Sequence, residues 1–190
     1  MFALERYAAA MDVVAVFGAS VSLPGDPLYE QGVRCGRLLA KAGFGVATGG
    51  YAGVMEAVSL GAKEADAEVI GVTAPSVFPD RVGGNAHLTQ ETRARSLLER
   101  IHELAVTSVA AIALPGSLGT ATELLAAWNL AHVARFSGTR PKPIVAVGEP
   151  WLTLIPLLTD ELQTDGTLVI LVPTVDDAVA AVTARLGQHS

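Results

Sequence analysis

Residues 114–123, LPGSLGTATE, combine residue types that are suited to anion binding. Gly116 and Gly119 can adopt a positive backbone φ angle and let a ligand approach the main chain. Thr120 can cap a helix that starts here, and its hydroxyl can also donate a hydrogen bond to an oxyanion. The first N–H groups of a helix are unpaired and carry partial positive charge, which favours a phosphate group. The predicted phosphate site consists of Gly116, Ser117, Leu118, Gly119 and Thr120.

A single carboxylate, Glu123, follows this turn by one helical turn. It lies too near a bound phosphate to contact that anion favourably, so it would face a neighbouring part of the ligand. A capping box with Thr120, three residues earlier, explains the same spacing. The residues themselves support the two interpretations about equally.

Two further turns carry similar residues. Gly18 and Ser20 follow the apolar run VVAVF, and Gly49 and Gly50 follow a second short apolar run. We predict that all four contribute to phosphate or nucleotide binding, although close packing explains the glycines equally well. Neither GxGxxG nor GxxxxGK[ST] occurs, so the sequence predicts neither a dinucleotide fingerprint nor a Walker A loop.

Short apolar runs alternate with longer amphipathic segments along the chain, which is typical of strands alternating with helices. The predicted strands are 13–17, 44–47, 69–72, 109–114, 144–147 and 168–172. The predicted helices are 26–42, 52–65, 89–105, 120–134, 151–162 and 175–186, with a long loop at 74–88.

This alternation predicts an α/β fold in which residues 1–190 form a single Rossmann-like domain. The sheet is expected to be doubly wound and mostly parallel, with helices on both faces. Ligands of such sheets bind beyond the carboxyl ends of the strands, near the point where strand order reverses. We therefore expect the site at the turns after the first, second and fourth predicted strands.

Composition narrows the function classes. The net charge is −6 without a basic stripe, so we predict no nucleic-acid partner. Cys35 is the single cysteine, which rules out an internal disulfide, and the histidines show no metal-ligand spacing, so no metal site is predicted. No apolar run has transmembrane length and the first twelve residues lack the pattern of a signal peptide, so we expect a cytoplasmic protein without membrane contact.

As a set, the motifs resemble the LONELY GUY family, also labelled lysine decarboxylase-like, whose hallmark is PGGxGTxxE. The resemblance rests on VFGAS, PGDPLYE, TGGYAGVMEAVSLGA and PGSLGTATE, and extends from about residue 12 to residue 172. It implies a phosphoribohydrolase, which hydrolyses the N-glycosidic bond of AMP or a cytokinin riboside monophosphate to a free base and ribose 5-phosphate. It also implies a homodimer, and a reaction that needs no metal or redox cofactor.

The resemblance assigns roles to two charged residues. The essential glutamate of the family matches Glu123, and its essential arginine, from an E-R-K-type element, matches Arg100. Glu123 would then lie beside C1′ of the ribose, where positive charge develops as the glycosidic bond breaks. Arg100 would orient Glu123 and keep it ionised, or would contact the phosphate.

The chain departs from the family pattern at three positions. Ser117 replaces a glycine, Ile101 replaces the lysine of the E-R-K element, and Glu56 replaces a residue that is usually small in cytokinin-activating members. A glutamate at this position resembles the sequence of distant relatives, the molybdenum-cofactor carrier proteins, which bind a phosphorylated pterin without hydrolysis. The alternative function is therefore a non-catalytic carrier or binding protein for a nucleotide or phosphorylated cofactor. Further candidate site residues are Met55, Glu56 and Glu99.

Overall fold

The computed structural model describes residues 11–81 and 83–187. Residues 1–10, which belong to the segment where we predict no signal peptide, lie outside this part. The strands are β1 Val13–Phe17, β2 Gly45–Thr48, β3 Val69–Thr73, β4 Gln90–Arg93, β5 Ala110–Ala113, β6 Ile144–Val147 and β7 Ile170–Val172. The helices are α1 Pro27–Lys41, α2 Val54–Lys63, α3 Leu97–Thr107, α4 Leu118–Ala134, α5 Trp151–Leu162 and α6 Val175–Gly187, and a short 3-10 helix, Gly166–Leu168, precedes β7.

The strands form one parallel sheet in the order β4-β3-β2-β1-β5-β6-β7. The chain builds outward from β1 to β4, then crosses to the other side of β1 for β5. Strand order therefore reverses between β1 and β5, which confirms the predicted doubly wound α/β sheet. Among the described residues, no helix combines the length and apolar character that crossing a membrane requires.

Helices cover both faces of the sheet. Alternate residues of β1 point to opposite faces: Val14 and Val16 pack with α1, α2 and α6, whereas Ala15 and Phe17 pack with α3, α4 and α5. Since both faces are covered, the central strand β1 is apolar throughout, as the continuous run 13–17 predicts.

The segment 89–105 differs from the single helix that we predict for it. Residues Gln90–Arg93 form β4, an edge strand paired with β3, and α3 begins only at Leu97. Its side chains alternate between half-buried and exposed, as in a strand. All four residues are polar, so the sequence shows no alternation of apolar and polar residues. Ser96 then caps α3 by accepting a hydrogen bond from the N–H of Glu99.

Helix α4 begins two residues earlier than predicted. Ser117 is its N-cap residue, although the serine side chain makes no capping hydrogen bond, and Thr120 lies inside the first turn. The prediction that Thr120 caps the helix is therefore wrong. Ser117 has an extended backbone with φ −99°, so a serine fits here without the strain that a positive φ would cause.

Candidate functional site

The turns after β1, β2 and β5 meet at the carboxyl edge of the sheet, because these three strands are neighbours. The turn after β1 links the other two. Its Ala19 N–H donates to the carbonyl of Pro115 at 3.4 Å, and its Ala19 carbonyl accepts the N–H of Val54 at 2.8 Å. The three turns chosen from the sequence thus lie together where strand order reverses.

Arg100 of α3 and Glu123 of α4 form a buried ion pair at this edge. The two residues are 6% and 8% exposed, and Arg100 Nη1 donates to Glu123 Oε1 at 2.9 Å. Arg100 Nε also donates to the carbonyl of Val72 at 2.8 Å, and Nη2 lies 3.6 Å from Sδ of Met55. The Glu123 side chain therefore binds Arg100, and the capping-box interpretation with Thr120 is wrong.

Gly49 makes room for this arginine. A Cβ atom on Gly49 would lie 1.6 Å from Arg100 Nη2 and 2.5 Å from Sδ of Met55. A side chain there is therefore incompatible with the observed position of the guanidinium. This contact favours the packing explanation for Gly49 over direct phosphate binding.

Burial dominates the electrostatics of Glu123. Loss of solvent raises the pKa of its carboxyl, and the charge and hydrogen bond of Arg100 offset this rise only in part. Arg100 therefore favours the ionised form against the effect of burial, and its predicted role in keeping Glu123 ionised stays a prediction. A carboxyl with a raised pKa can hold a proton at higher pH than an ordinary glutamate, as a general acid must.

The predicted phosphate site at 116–120 is open in its middle. Residues 117–119 are exposed, and a Cβ atom on Gly119 would meet no heavy atom within 4 Å. Thr120 is only 2% exposed, and its Oγ1 would lie 2.1 Å from a Cβ on Gly116. The start of α4 can therefore offer main-chain N–H groups to an anion, whereas the Thr120 hydroxyl faces inward.

A cavity of about 340 Å³ opens at the same edge, beside the start of α2. Its lining includes Ser20, Tyr51, Glu56, Arg81 and Asn85. Ser20 and Glu56 are predicted site residues, whereas neither Glu123 nor the 116–120 turn is part of this lining.

The long loop after β3 supplies the cavity residues that sequence reasoning missed. The Asn85 side-chain amide donates to the carbonyls of Gly50 and Tyr51, both at 3.2 Å, which anchors the loop to the turn after β2. The Arg81 guanidinium lies 4.9 Å from the ring centroid of Tyr51 and 4.6 Å from that of Phe78. The sequence signal was the unusual length of this loop, but nothing in it singled out Arg81.

Of the remaining predicted residues, Gly50 and Gly18 are closely packed in their turns, whereas Glu99 lies elsewhere. Gly50 has φ +77° and its carbonyl accepts the Asn85 N–H at 2.8 Å, while a Cβ on Gly18 would lie 2.4 Å from Val54 Cγ1. Glu99 lies outside the group, since its carboxylate binds the main-chain N–H and the side chain of Arg95.

Sequence comparison identifies the family. A sequence model described as the SLOG cluster4 family matches residues 11–144, which is more than half of the chain. The chain belongs to the SLOG cluster4 family. None of the curated protein sequences compared with it matches. The LONELY GUY resemblance is thus confirmed at this coarser level, and membership of the LONELY GUY family itself stays a prediction.

Solved structures share the fold of this SLOG cluster4 protein. The molybdenum cofactor binding protein of the phototrophic bacterium Rippkaea orientalis is 21% identical with a TM-score of 0.74, over 93% of this chain and 98% of its own. The molybdenum cofactor carrier protein of Chlamydomonas reinhardtii is 26% identical with a TM-score of 0.72, over 93% and 99%. DNA processing protein A of Helicobacter pylori, which binds single-stranded DNA, is 15% identical with a TM-score of 0.60, over 95% and 84%. At their lower identities, the first and third share the fold alone.

Proposed function

We propose that this protein binds a small phosphorylated ligand, a nucleotide or a phosphorylated cofactor, without hydrolysing it. The proposal rests on the buried ion pair of Arg100 and Glu123, whose side chains bind each other in the interior. A catalytic carboxylate must reach the reacting atom. The groups open to solvent are instead the start of α4 and the cavity beside α2, and both are suited to binding.

The molybdenum cofactor carrier protein of Chlamydomonas supports this proposal, because it is 26% identical over nearly the whole of both chains. A phosphorylated pterin is therefore a candidate cargo beside nucleoside monophosphates. In either case the phosphate would lie on the main-chain N–H groups at residues 117–119, where the helix start attracts an anion.

A phosphoribohydrolase is the second candidate, and the raised pKa of Glu123 favours it. A protonated Glu123 could donate its proton to the leaving base of a nucleoside 5′-monophosphate such as AMP. This function requires the ligand to reach a side chain that is only 8% exposed.

One experiment separates the two functions. We would incubate the protein with AMP, GMP and isopentenyladenosine monophosphate, measure binding by calorimetry, and measure free base by chromatography. We expect binding without release of base, in the wild type and in Glu123→Gln. Base release that disappears in Glu123→Gln but persists in the matched variant Glu99→Gln would establish the hydrolase instead. Absence of binding to all three nucleotides, to orthophosphate and to pterin would refute the binding function.

We also propose a homodimer that uses α4. This helix carries apolar residues on its exposed side, and a helix that is apolar all round is normally covered. The exposed large apolar residues are Leu118, Leu125, Leu130 and Val133 on the helix and Phe136 two residues beyond its end. Light scattering should give the mass of two chains for the wild type and of one chain for the double variant Leu130→Glu, Phe136→Glu. A wild-type monomer would contradict the proposal.

We infer that nucleic acid is not a partner, although DNA processing protein A of Helicobacter pylori shares the fold. The net charge of −6 opposes contact with a phosphate backbone. A gel-shift assay with single-stranded DNA at physiological salt should show no complex, and a salt-sensitive complex would overturn this inference.

A further inference from the structure

We propose that Glu56 and Arg81 select a ligand ring in which an N–H lies between an amino-bearing carbon and a carbonyl carbon, as in guanine and pterin, over the adenine ring. The inference rests on the proposed function, because it concerns the ring of the phosphorylated ligand. It assigns that ring to the cavity beside α2, whose volume of about 340 Å³ is within the range of small-molecule sites.

The cavity presents two opposite charges that do not neutralise each other. Glu56 and Arg81 both line it, yet no ion pair joins them in the described part of the chain. Within the same part, Arg81 has no carboxylate at ion-pair distance, in contrast to Arg100 with Glu123. Both charged groups therefore remain available to a ligand.

Arg81 is held in place by aromatic contacts. Its guanidinium lies over Tyr51 and Phe78, whose rings pack edge to face with centroids 5.7 Å apart. These cation–π contacts restrain the guanidinium and lower the entropy that it loses when it binds a ligand. Its N–H groups can then donate to a carbonyl oxygen and a neighbouring ring nitrogen, as arginine does with guanine.

Glu56 lies in the first turn of α2, near Tyr29. Burial raises the pKa of Tyr29, and the charge of Glu56 adds to this rise. An ionised carboxylate only accepts hydrogen bonds, so it suits a ring N–H and an adjacent amino group. Adenine offers the opposite pattern, with a ring-nitrogen acceptor facing the carboxylate and an amino group facing the guanidinium. Both charges therefore discriminate in the same direction.

The other polar groups of the cavity contribute little to this choice. The Asn85 amide is already engaged by the carbonyls of Gly50 and Tyr51, so it holds the loop in place. The Ser20 hydroxyl can both donate and accept, so it accommodates either ring. Selectivity is thus assigned to Glu56 and Arg81.

The test is calorimetric binding of GMP, AMP and pterin to the full chain at one fixed salt concentration. We expect the wild type to bind GMP about tenfold or more tightly than AMP, the discrimination of a good bidentate pair, and pterin to compete with GMP. Glu56→Gln and Arg81→Gln should each bring the GMP-to-AMP ratio within about threefold of unity, because each removes one charged contact. The matched controls are Glu30→Gln in the first turn of α1 and Arg93→Gln on β4, both exposed, and they should keep the wild-type ratio.

The outcomes separate the inference from the proposed function. AMP binding as tight as GMP binding in the wild type would overturn the inference and leave the binding function standing. A ratio in Glu56→Gln equal to that in Glu30→Gln would also overturn it, since Glu56 would then only favour the helix start. Failure of GMP, AMP and pterin to bind would remove the inference, and the proposed function would fall with it only if isopentenyladenosine monophosphate and orthophosphate also failed to bind.

Discussion

Two polar regions share the carboxyl edge of the sheet, and they differ in how their charges are satisfied. Arg100 and Glu123 are buried and bind each other, and the guanidinium also contacts Val72 and Met55. It lies 5.9 Å and 6.0 Å from the ring centroids of Tyr51 and Phe78. Glu56 and Arg81 line an open cavity, and neither forms an ion pair with another described residue. The two charged residues that the sequence singled out for catalysis are therefore buried, whereas the start of α4 at residues 117–119 and the cavity beside α2 are open to a ligand.

This difference separates two roles that sequence motifs do not distinguish. A buried pair holds α3 and α4 in one arrangement and is costly to break, because each charge depends on the other. Glu56 and Arg81 need no oppositely charged partner in the protein because water solvates them, and a ligand can replace that water. The predictions below test this contrast, beginning with the largest expected effect.

Removal of the buried guanidinium should have the largest effect. Arg100→Ala leaves the Glu123 carboxyl buried without a partner, and we expect a loss of about 3–5 kcal/mol in the free energy of unfolding. Arg95→Ala is the control, since the Arg95 side chain is 89% exposed and a solvent-exposed ion pair contributes little to stability. Urea unfolding measures both, and equal losses in the two variants would contradict a closed pair.

A methyl group at Gly49 should displace the same arginine. A Cβ there would lie 1.6 Å from Arg100 Nη2, so we expect Gly49→Ala to lose about 1–3 kcal/mol in the free energy of unfolding. Gly119→Ala is the matched control, because its Cβ would meet nothing within 4 Å, and alanine in a helix should be neutral or stabilising by about 0.5–1 kcal/mol. Wild-type stability in Gly49→Ala would show that the guanidinium can move freely.

The pH dependence of stability should have opposite signs for two glutamates. Burial raises the pKa of Glu123 in the folded state, so the folded protein binds a proton more tightly than the unfolded chain. The stability of the wild type relative to Glu123→Gln should therefore fall as pH rises above about 4.5. Arg95 lowers the pKa of Glu99, so the stability of the wild type relative to Glu99→Gln should fall as pH decreases below about 4.5.

Unfolding from about pH 3 to about pH 8 measures both differences. The same sign for the two glutamates would show that burial does not govern Glu123.

The open cavity should show the smallest effect on stability. Glu56→Gln and Arg81→Gln should each change the free energy of unfolding by at most about 1 kcal/mol, since helix-start and cation–π contacts are of this size. Urea unfolding measures the free energy of unfolding of both variants, and Arg100→Ala measured in the same way is the reference for a large loss. A loss as large as that of Arg100→Ala would place these residues in the structural core rather than in a binding cavity.

Local patterns predicted most of the fold. The continuous apolar runs at 13–17 and 144–147 match β1 and β6, because strands covered on both faces need apolar residues throughout. The prediction of a single helix over 89–105 is wrong because β4 is an edge strand with polar residues. Its single neighbour, β3, comes from a distant part of the sequence. Pairing of that kind leaves little trace in local composition.

The position of the candidate site could be predicted from the sequence only in part. The order of the turns and the reversal of strand order place Ser20, Gly50 and residues 116–120 at one edge. Arg81 was missed, because its aromatic partners Tyr51 and Phe78 come together only when the loop after β3 folds back over the turn after β2.

The sequence by itself determined the alternation of strands and helices, the glycines at the carboxyl edge, and the presence of an arginine and a glutamate that can pair. The tertiary structure alone decided that this pair is closed and that Glu56 and Arg81 are open. The reason is physical: the loss of solvent around a charge depends on every element packed against it, and those elements are distant in sequence.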